Sequence, residues 1–161
     1  MPEEVLTHMN IGQLCRHRVI KVPQSTSLAE VARVMSTEHV GAVIVTDGSH
    51  DQAPVAGIIT DRDIVNAQLD QAKDLASLSA ASAMTKNVLT LTRDESIDGA
   101  IAHMRARNVR RAPIVSADAV PVGLVSVDDL IGQLSFDLSE IASIVAGQSR
   151  YESAEIPGDF L

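Results

Sequence analysis

The sequence predicts an α/β (α+β) protein made of two tandem β-α-β-β-α repeats packed sheet to sheet, with an extended C-terminal helix. Three observations predict it. One order of strand, helix and turn signals occurs twice, each copy is of marginal size to stand alone, and a row of apolar residues runs past the second copy. A unit of about 55 residues buries only around 60% of its chain surface, so two units gain by sharing a core.

The duplication is seen when the chain is aligned with itself. Val19–Val22 aligns with Val88–Leu91, and after a longer loop in the first copy Gly57–Thr60 aligns with Gly123–Ser126. We therefore predict the first repeat at 10–71, the second at 80–133, and a C-terminal helix extension with a mobile polar tail, from Gln148 onward, at 134–161.

The first repeat contains the five elements in order. A short strand is predicted at Val19–Val22, whose side chains alternate outward and inward. Two more are predicted at Ala42–Val45 and Val55–Ile59, which are β-branched runs split by the turn-forming Asp47-Gly48 region. A helix is predicted after Ser27, which has a glutamate three residues on, as in a capping box. The last element is a helix from Asp61 to about Gln71.

The second repeat follows the same order. A helix is predicted around Ile97 and Met104, strands at Pro113–Val115 and Val122–Val125, and a last helix from Val127. That helix carries an apolar row that steps by three or four residues, and the row either covers the shared core or forms part of a dimer interface. Its members are Leu130, Leu134, Leu138, Ile141 and Val145.

Composition excludes several classes of function. The chain has 13 basic and 21 acidic side chains and a net charge of −8, which disfavours nucleic acid as a partner. A single cysteine excludes an internal disulfide, and no metal-ligand spacing is present, so no metal is expected. The acidic N-terminus is unlike a signal peptide, and no stretch approaches the roughly 18 consecutive apolar residues that a membrane helix needs. We expect a cytoplasmic protein without membrane association.

The strongest local signal is Gly57–Asp63, Gly-Ile-Ile-Thr-Asp-Arg-Asp, which Gly123–Asp129 echoes. Each segment ends a strand at a hydroxyl residue and begins a helix with an aspartate three positions later. In one interpretation Thr60 and Ser126 cap their helices, and the aspartates favour the positive end of the helix dipole. In the other, each carboxylate accepts the two hydroxyls of a ribose, and the helix N-terminus holds a phosphate. The two interpretations are compatible.

These two segments, together with Val109–Val115, Val-Arg-Arg-Ala-Pro-Ile-Val, resemble cystathionine β-synthase (CBS) domains in a tandem pair. The resemblance covers about Asn10–Gln133 and extends to free-standing bacterial CBS-domain proteins. It implies two related clefts between the repeats. Each cleft takes a ribose-binding aspartate from one repeat and an adenine pocket from the other.

Transferred residue by residue, the resemblance defines a main cleft and a weaker cleft. The main cleft is predicted to contain Ile58, Thr60, Arg62, Asp63, Met84, Thr85, Asn87, Leu89, Val109, Arg110 and Arg111. The weaker cleft is predicted to contain Cys15, Arg18, Ile20, Val40, Gly41, Leu124, Ser126 and Asp129.

The two clefts differ in charge. Arg62, Arg110 and Arg111 belong to the main cleft, whereas the weaker cleft has Asp128 in place of Arg62 and small residues in place of the other two; Arg18 offsets part of this difference. Since charge-assisted arginine–phosphate bonds contribute about 1.5–3 kcal/mol each, the main cleft is expected to bind nucleotide more tightly.

The expected function is a non-catalytic regulatory sensor that binds an adenine nucleotide (AMP, ADP or ATP, with NAD as a further option) between its repeats. No catalytic triad, Cys/His pair or phosphate-binding Gly-rich loop with a lysine occurs, so neither enzymatic activity nor a catalytic cofactor is expected. The expected protein partners are a second copy, in a homodimer, and an unidentified regulated target. The alternative is a dimerising adaptor without a small-molecule ligand.

Overall fold

The duplicated order of elements is confirmed in a computed structural model, which describes residues 9–15, 18–71 and 74–154. Residues 9–126 form one compact unit, and the last helix forms a second. A short 3-10 turn at Leu75–Ser77 joins the repeats. The other elements are α1 (Ile11–Leu14), β1 (Lys21–Pro23), α2 (Leu28–Glu38), β2 (Ala42–Thr46), β3 (Val55–Thr60), α3 (Asp61–Gln71), α4 (Ala80–Ala83), β4 (Leu91–Thr92), α5 (Ile97–Arg107), β5 (Arg111–Val115), β6 (Pro121–Ser126) and α6 (Val127–Ala154).

Each repeat forms a three-stranded sheet of the same topology. β1 pairs in parallel with β2, which pairs antiparallel with β3, and β4, β5 and β6 repeat this arrangement. The register of the antiparallel pair shifts at equivalent places, between Val45 and Thr46 in one sheet and between Ile114 and Val115 in the other. The two sheets therefore share the same strand pairing, including the position of its irregularity.

The middle strands are buried along their length. All five residues of β2 are buried, and Ala112–Val115 of β5 are buried as well. A strand covered on both faces lacks the alternation of polar and apolar residues, which is why these segments appear as continuous apolar runs in the sequence. The core of the first repeat is completed by the inner faces of its helices, through Leu28, Val31, Met35, Ile64 and Ala67.

The long helices of the two repeats begin and end with the same devices. The Ser27 hydroxyl accepts a hydrogen bond from the Glu30 amide at 3.2 Å, and Ser96 caps α5 in the same way at 3.0 Å. The capping box predicted at Ser27 is only half formed, because the Glu30 carboxylate pairs with Arg33 instead. Both helices end in a left-handed residue, His39 at φ 54° and Asn108 at φ 52°.

The segment before each repeat's first strand is bonded to the other repeat. The Ile11 amide donates to the Glu95 carbonyl at 2.9 Å, and 69 positions later the Ala80 amide donates to the Thr26 carbonyl at 2.7 Å. As a result α1 lies with the second repeat and α4 with the first. This crossing places the segment before the first strand of each repeat against the third strand of the other repeat.

Several predicted boundaries differ from the structure. The first strand of each repeat was predicted at Val19–Val22 and Val88–Leu91 but is found at Lys21–Pro23 and Leu91–Thr92, because the register with the middle strand begins there. The other strands extend one or two residues beyond their predicted bounds. The polar tail was predicted from Gln148, but the helix continues to Ala154. Residues 155–161 of that tail lie outside the described residues.

Candidate functional site

A cavity of about 320 Å³ opens between the two repeats, within the lower range of small-ligand pockets. β3 supplies two of its lining residues, and the segment before β4 together with the α5–β5 junction supplies the others. The lining residues are Ile58, Thr60, Thr85, Asn87, Val88, Leu89, Arg107, Val109, Arg110 and Arg111. The cavity is therefore lined by β3 of the first repeat and by the segments that precede β4 and β5 in the second repeat.

One wall is a main-chain bridge between the repeats. The Ile58 amide donates to the Thr85 carbonyl at 3.1 Å, and the Thr85 amide donates to the Ile58 carbonyl at 2.8 Å. The neighbouring Gly57 makes this approach possible, since a Cβ there would lie 2.6 Å from the Thr85 carbonyl oxygen. The first glycine of the motif is thus required by the close contact of two backbones.

The rest of the apolar lining suits a flat ring. Ile58 is buried, while Val88, Leu89 and Val109 are half-buried, so their side chains present apolar surface to the cavity. Aliphatic side chains of this kind can pack against the face of a nucleobase.

The polar lining is strongly basic. Arg107, Arg110 and Arg111 all line the cavity and are exposed. The Arg111 guanidinium reaches towards the first repeat, since its Nη2 and the Asp61 carboxylate both lie within 4 Å of where a Cβ of Gly41 would stand. Three guanidinium groups around one opening favour an anion with several acceptor oxygens.

Thr60 and Asp63 form a reciprocal cap at the start of α3. One Asp63 oxygen accepts from both the Thr60 amide and the Thr60 hydroxyl at 2.7 Å, and the Asp63 amide donates to that hydroxyl at 3.3 Å. The structural role predicted for this pair is thus present. A carboxylate has about four acceptor positions, so the cap leaves capacity for the hydroxyls of a ligand.

Of the eleven residues predicted for the main cleft, the structure brings eight to this cavity. Met84 does not line it, because this side chain packs beside Gly57 against the first core. Arg62 does not line it either; it is exposed in the first turn of α3, with its amide bonded to Asp61. Asp63 lies next to the lining residue Thr60 but is not itself part of the lining.

Sequence reasoning missed two lining residues, Val88 and Arg107. Arg107 is the last residue of α5, just before the left-handed Asn108 turns the chain into β5. The spacing of Arg107, Arg110 and Arg111 was the available signal, since a helix end followed by a turn brings such residues to one side.

The residues predicted for the weaker cleft differ in charge from those that line the cavity. The Cys15 thiol donates to the Leu124 carbonyl at 3.4 Å, a side-chain contact at the place where Ile58 and Thr85 form a main-chain bridge in the other half of the duplication. Exposed Arg18 lies 4.0 Å from Glu38, so a carboxylate offsets its charge. Ile20, Val40 and Gly41 are half-buried in the same compact unit. Ser126 ends β6, whereas Asp129 lies in the first turn of α6, in the second unit.

Positions 69 residues apart in the two repeats carry side chains of different charge. Where the second repeat has Arg107, the first has Glu38, and where the second has Arg110 and Arg111, the first has Gly41 and Ala42. The offset of 69 that pairs the capping residues His39 and Asn108 also pairs these positions. At these three positions the second repeat therefore has three basic residues, whereas the first repeat has one acidic and two small residues.

Comparison with known proteins identifies the same two repeats. The model of the CBS domain family matches residues 11–70 and 77–135. An uncharacterized 17.7 kDa protein of Acidianus ambivalens is 32% identical over 120 residues, 74% of this chain and 70% of the relative. An uncharacterized protein of Methanopyrus kandleri is 28% identical over 76% of this chain and 61% of its own length. A homoserine O-acetyltransferase of Methanohalobium evestigatum is 23% identical over 78% of this chain but only 24% of that enzyme.

Solved structures share the fold. A CBS domain pair in complex with 5′-methylthioadenosine and S-adenosyl-L-methionine superposes with a TM-score of 0.70 at 23% identity, covering 80% of this chain and 97% of that one. A CBS domain protein from Pyrobaculum aerophilum complexed with AMP gives 0.67 at 22%, covering 74% and 88%. A hexameric CBS-CP12 protein from cyanobacteria gives 0.65 at 21%, covering 76% and 66%.

Proposed function

The chain belongs to the CBS domain family, and on this premise we propose that it is a regulatory module that binds an adenine nucleotide in the cavity between its repeats without transforming it. The observation that carries the proposal is one cavity lined by aliphatic residues, a helix-capping Thr60 and three arginines. The aliphatic lining suits the base, and the arginines suit the phosphates.

The charge of the lining also ranks the ligands. AMP, ADP, ATP and NAD carry phosphates, whereas 5′-methylthioadenosine is uncharged and S-adenosyl-L-methionine carries a positive sulfonium. One arginine–phosphate contact is worth about 1.5–3 kcal/mol, which corresponds to roughly a ten- to hundred-fold change in affinity. We expect each phosphorylated compound to bind at least ten-fold more tightly than the two uncharged or cationic adenosine derivatives.

Isothermal titration calorimetry with these six compounds tests the proposal. Arg110→Gln in the lining should weaken binding of the phosphorylated compounds more than ten-fold, while Arg33→Gln, which removes a guanidinium on α2 paired with Glu30, should leave affinity unchanged. An equal loss of affinity in both variants would show that the effect depends on the net charge of the protein and not on the arginines of the lining. No binding of any adenine compound would instead favour the adaptor.

The unequal charge of the clefts predicts unequal occupancy. Asp63→Ala should abolish most nucleotide binding, whereas Asp129→Ala should change it less than three-fold. Because Asp63 also caps α3, thermal unfolding of each variant must be measured to separate lost affinity from lost fold. Equal losses of affinity from the two variants, with the fold retained, would overturn the ranking.

Two further measurements on the same protein distinguish a binding module from an enzyme and from an adaptor. An enzyme would consume the nucleotide, so incubation followed by chromatography should return AMP, ADP and ATP unchanged if the module only binds. An adaptor would show no ligand-dependent shift in unfolding temperature, whereas a ligand at a hundred times its dissociation constant stabilises the folded state by about 2.7 kcal/mol.

A further inference from the structure

The long helix α6 carries a row of apolar side chains in heptad spacing. The row, called here the α6 seam, consists of Ile131, Leu134, Leu138, Ile141 and Val145, which step by 3, 4, 3 and 4 residues. Alternating steps of three and four are the spacing of the a and d positions of a coiled coil, in which each side chain fits between four residues of a facing helix.

Every member of the α6 seam is exposed. The exposed fractions are 55% for Ile131, 43% for Leu134, 67% for Leu138, 59% for Ile141 and 60% for Val145. The sequence alone allowed this row to cover the core; within the row predicted there, only Leu130, outside the seam, is buried, at 4%. The seam is thus apolar surface left in water.

The rest of the helix limits what can cover the seam. Small residues flank it at Ser135 and Ala142, which permits close approach of another helix. From Gly132 to Gly147 the remaining faces are polar or small, apart from Phe136 on the far side and Ile144 at the seam's edge. Between positions 127 and 147 the helix has acidic residues and no lysine or arginine.

The size of the seam fits a pair of helices. At these exposures it leaves roughly 400–500 Å² of apolar surface per helix, the size of the largest apolar patch on a typical monomer, which is often a functional surface. Two such seams facing each other would bury roughly 800–1,000 Å² in total, at the lower bound for a specific interface. A seam that is apolar at each a and d position is also self-complementary, as a two-fold contact requires.

A lipid bilayer is the competing occupant. Val127–Gly147 is long and apolar enough to cross a membrane by length and composition, with a mean hydropathy of 1.2. However, Asp137 and Glu140 lie in the middle of this stretch, where a charge is costly in a bilayer. Helices that lie on membrane surfaces typically carry lysine or arginine on the polar face, and none occurs between positions 127 and 147 of this one.

We infer that two copies of this chain pair through their α6 seams. This dimer goes beyond the proposed function, because it needs no nucleotide and uses no residue of the cavity. It specifies which surface forms the homodimer that the sequence led us to expect.

Sedimentation equilibrium without nucleotide tests the inference. The protein should be a dimer, and Leu138→Asp should weaken dimerisation more than 100-fold, since a charge would be buried in the seam of both copies. Phe136→Ser is the matched control, because Phe136 is 61% exposed on the same helix but faces away from the seam. It should leave the dimer intact.

Further measurements exclude other causes. Leu138→Ala, which keeps helix propensity, should also weaken the dimer, by at least ten-fold, and circular dichroism should show that both seam variants retain the folded repeats. A monomeric parent protein, a dimer that survives Leu138→Asp, or equal effects of Leu138→Asp and Phe136→Ser would each overturn the inference. Pelleting of a monomeric protein with vesicles of phosphatidylcholine and phosphatidylglycerol would assign the helix to lipid instead.

Discussion

Replacing Gly57 with alanine tests how the two repeats are held together. The new Cβ would lie 2.6 Å from the Thr85 carbonyl oxygen and 2.8 Å from the Met84 sulfur, so the bridge between Ile58 and Thr85 must open. Main-chain atoms cannot move aside as a flexible side chain can. The substitution therefore strains both repeats at once.

The expected loss follows from the contacts. Overpacking of this kind costs about 1–3 kcal/mol, and weakening the two bridge bonds adds about 0.5–1.5 kcal/mol each. The free energy of unfolding should fall by about 2–6 kcal/mol, a large share of the roughly 5–15 kcal/mol of a typical domain. Since Ile58 and Thr85 line the cavity, affinity for adenine nucleotides should fall as well.

Urea unfolding followed by circular dichroism measures the effect, with two matched alanine substitutions. Gly132→Ala has no neighbouring atom within 4 Å and should raise stability slightly, because alanine favours a helix by about 1 kcal/mol over glycine. Gly123→Ala would meet the Cys15 side chain at 3.2 Å, which can yield, so its loss should be intermediate. If Gly57→Ala unfolds at the same urea concentration as the parent protein, the close contact of the two backbones is refuted.

Two further predictions concern the ends of the repeated helices. Ser27→Ala should lower the free energy of unfolding by about 1 kcal/mol, because it removes the hydroxyl that caps α2; an unchanged urea midpoint would contradict this. Asn108→Ala should cost about 1 kcal/mol, since the residue adopts φ 52°, whereas Asn108→Gly should be neutral or slightly stabilising. Chemical unfolding of this pair decides the point, and equal midpoints for the two variants would show that backbone strain is unimportant there.

The duplication made the fold predictable from the sequence. Two copies of one pattern support each other, so even a short strand is identified by its counterpart, and the predicted bounds of α3, Asp61 to about Gln71, match the structure. The first strand of each repeat was predicted too early in the chain, because a strand is defined by its pairing with a neighbouring strand, which the sequence does not show. The run Val88–Leu91 is rich in apolar residues, yet only Leu91 of that run pairs with β5.

The site was less predictable, because its residues come together by chain crossing. The motif at Thr60 and the arginines at 110 and 111 were identified from local pattern, whereas Arg107 ends a helix and in the sequence resembles any solvated basic residue. The apolar row on α6 was recognised, but sequence periodicity cannot show which members are buried. The structure shows Leu130 buried and Leu134 exposed, one turn apart.

The repeats are alike in the contacts that hold the fold and differ at exposed positions that do not. Hydrogen bonds such as Ile11 to Glu95 and Ala80 to Thr26 join backbone groups, so they place few demands on side-chain identity and persist although the repeats share few residues. Arg107 lines the cavity but is exposed, and its counterpart Glu38 is exposed as well. Arg107 can therefore correspond to Glu38 without disturbing either sheet, and one scaffold can carry a basic residue in one repeat and an acidic residue in the other.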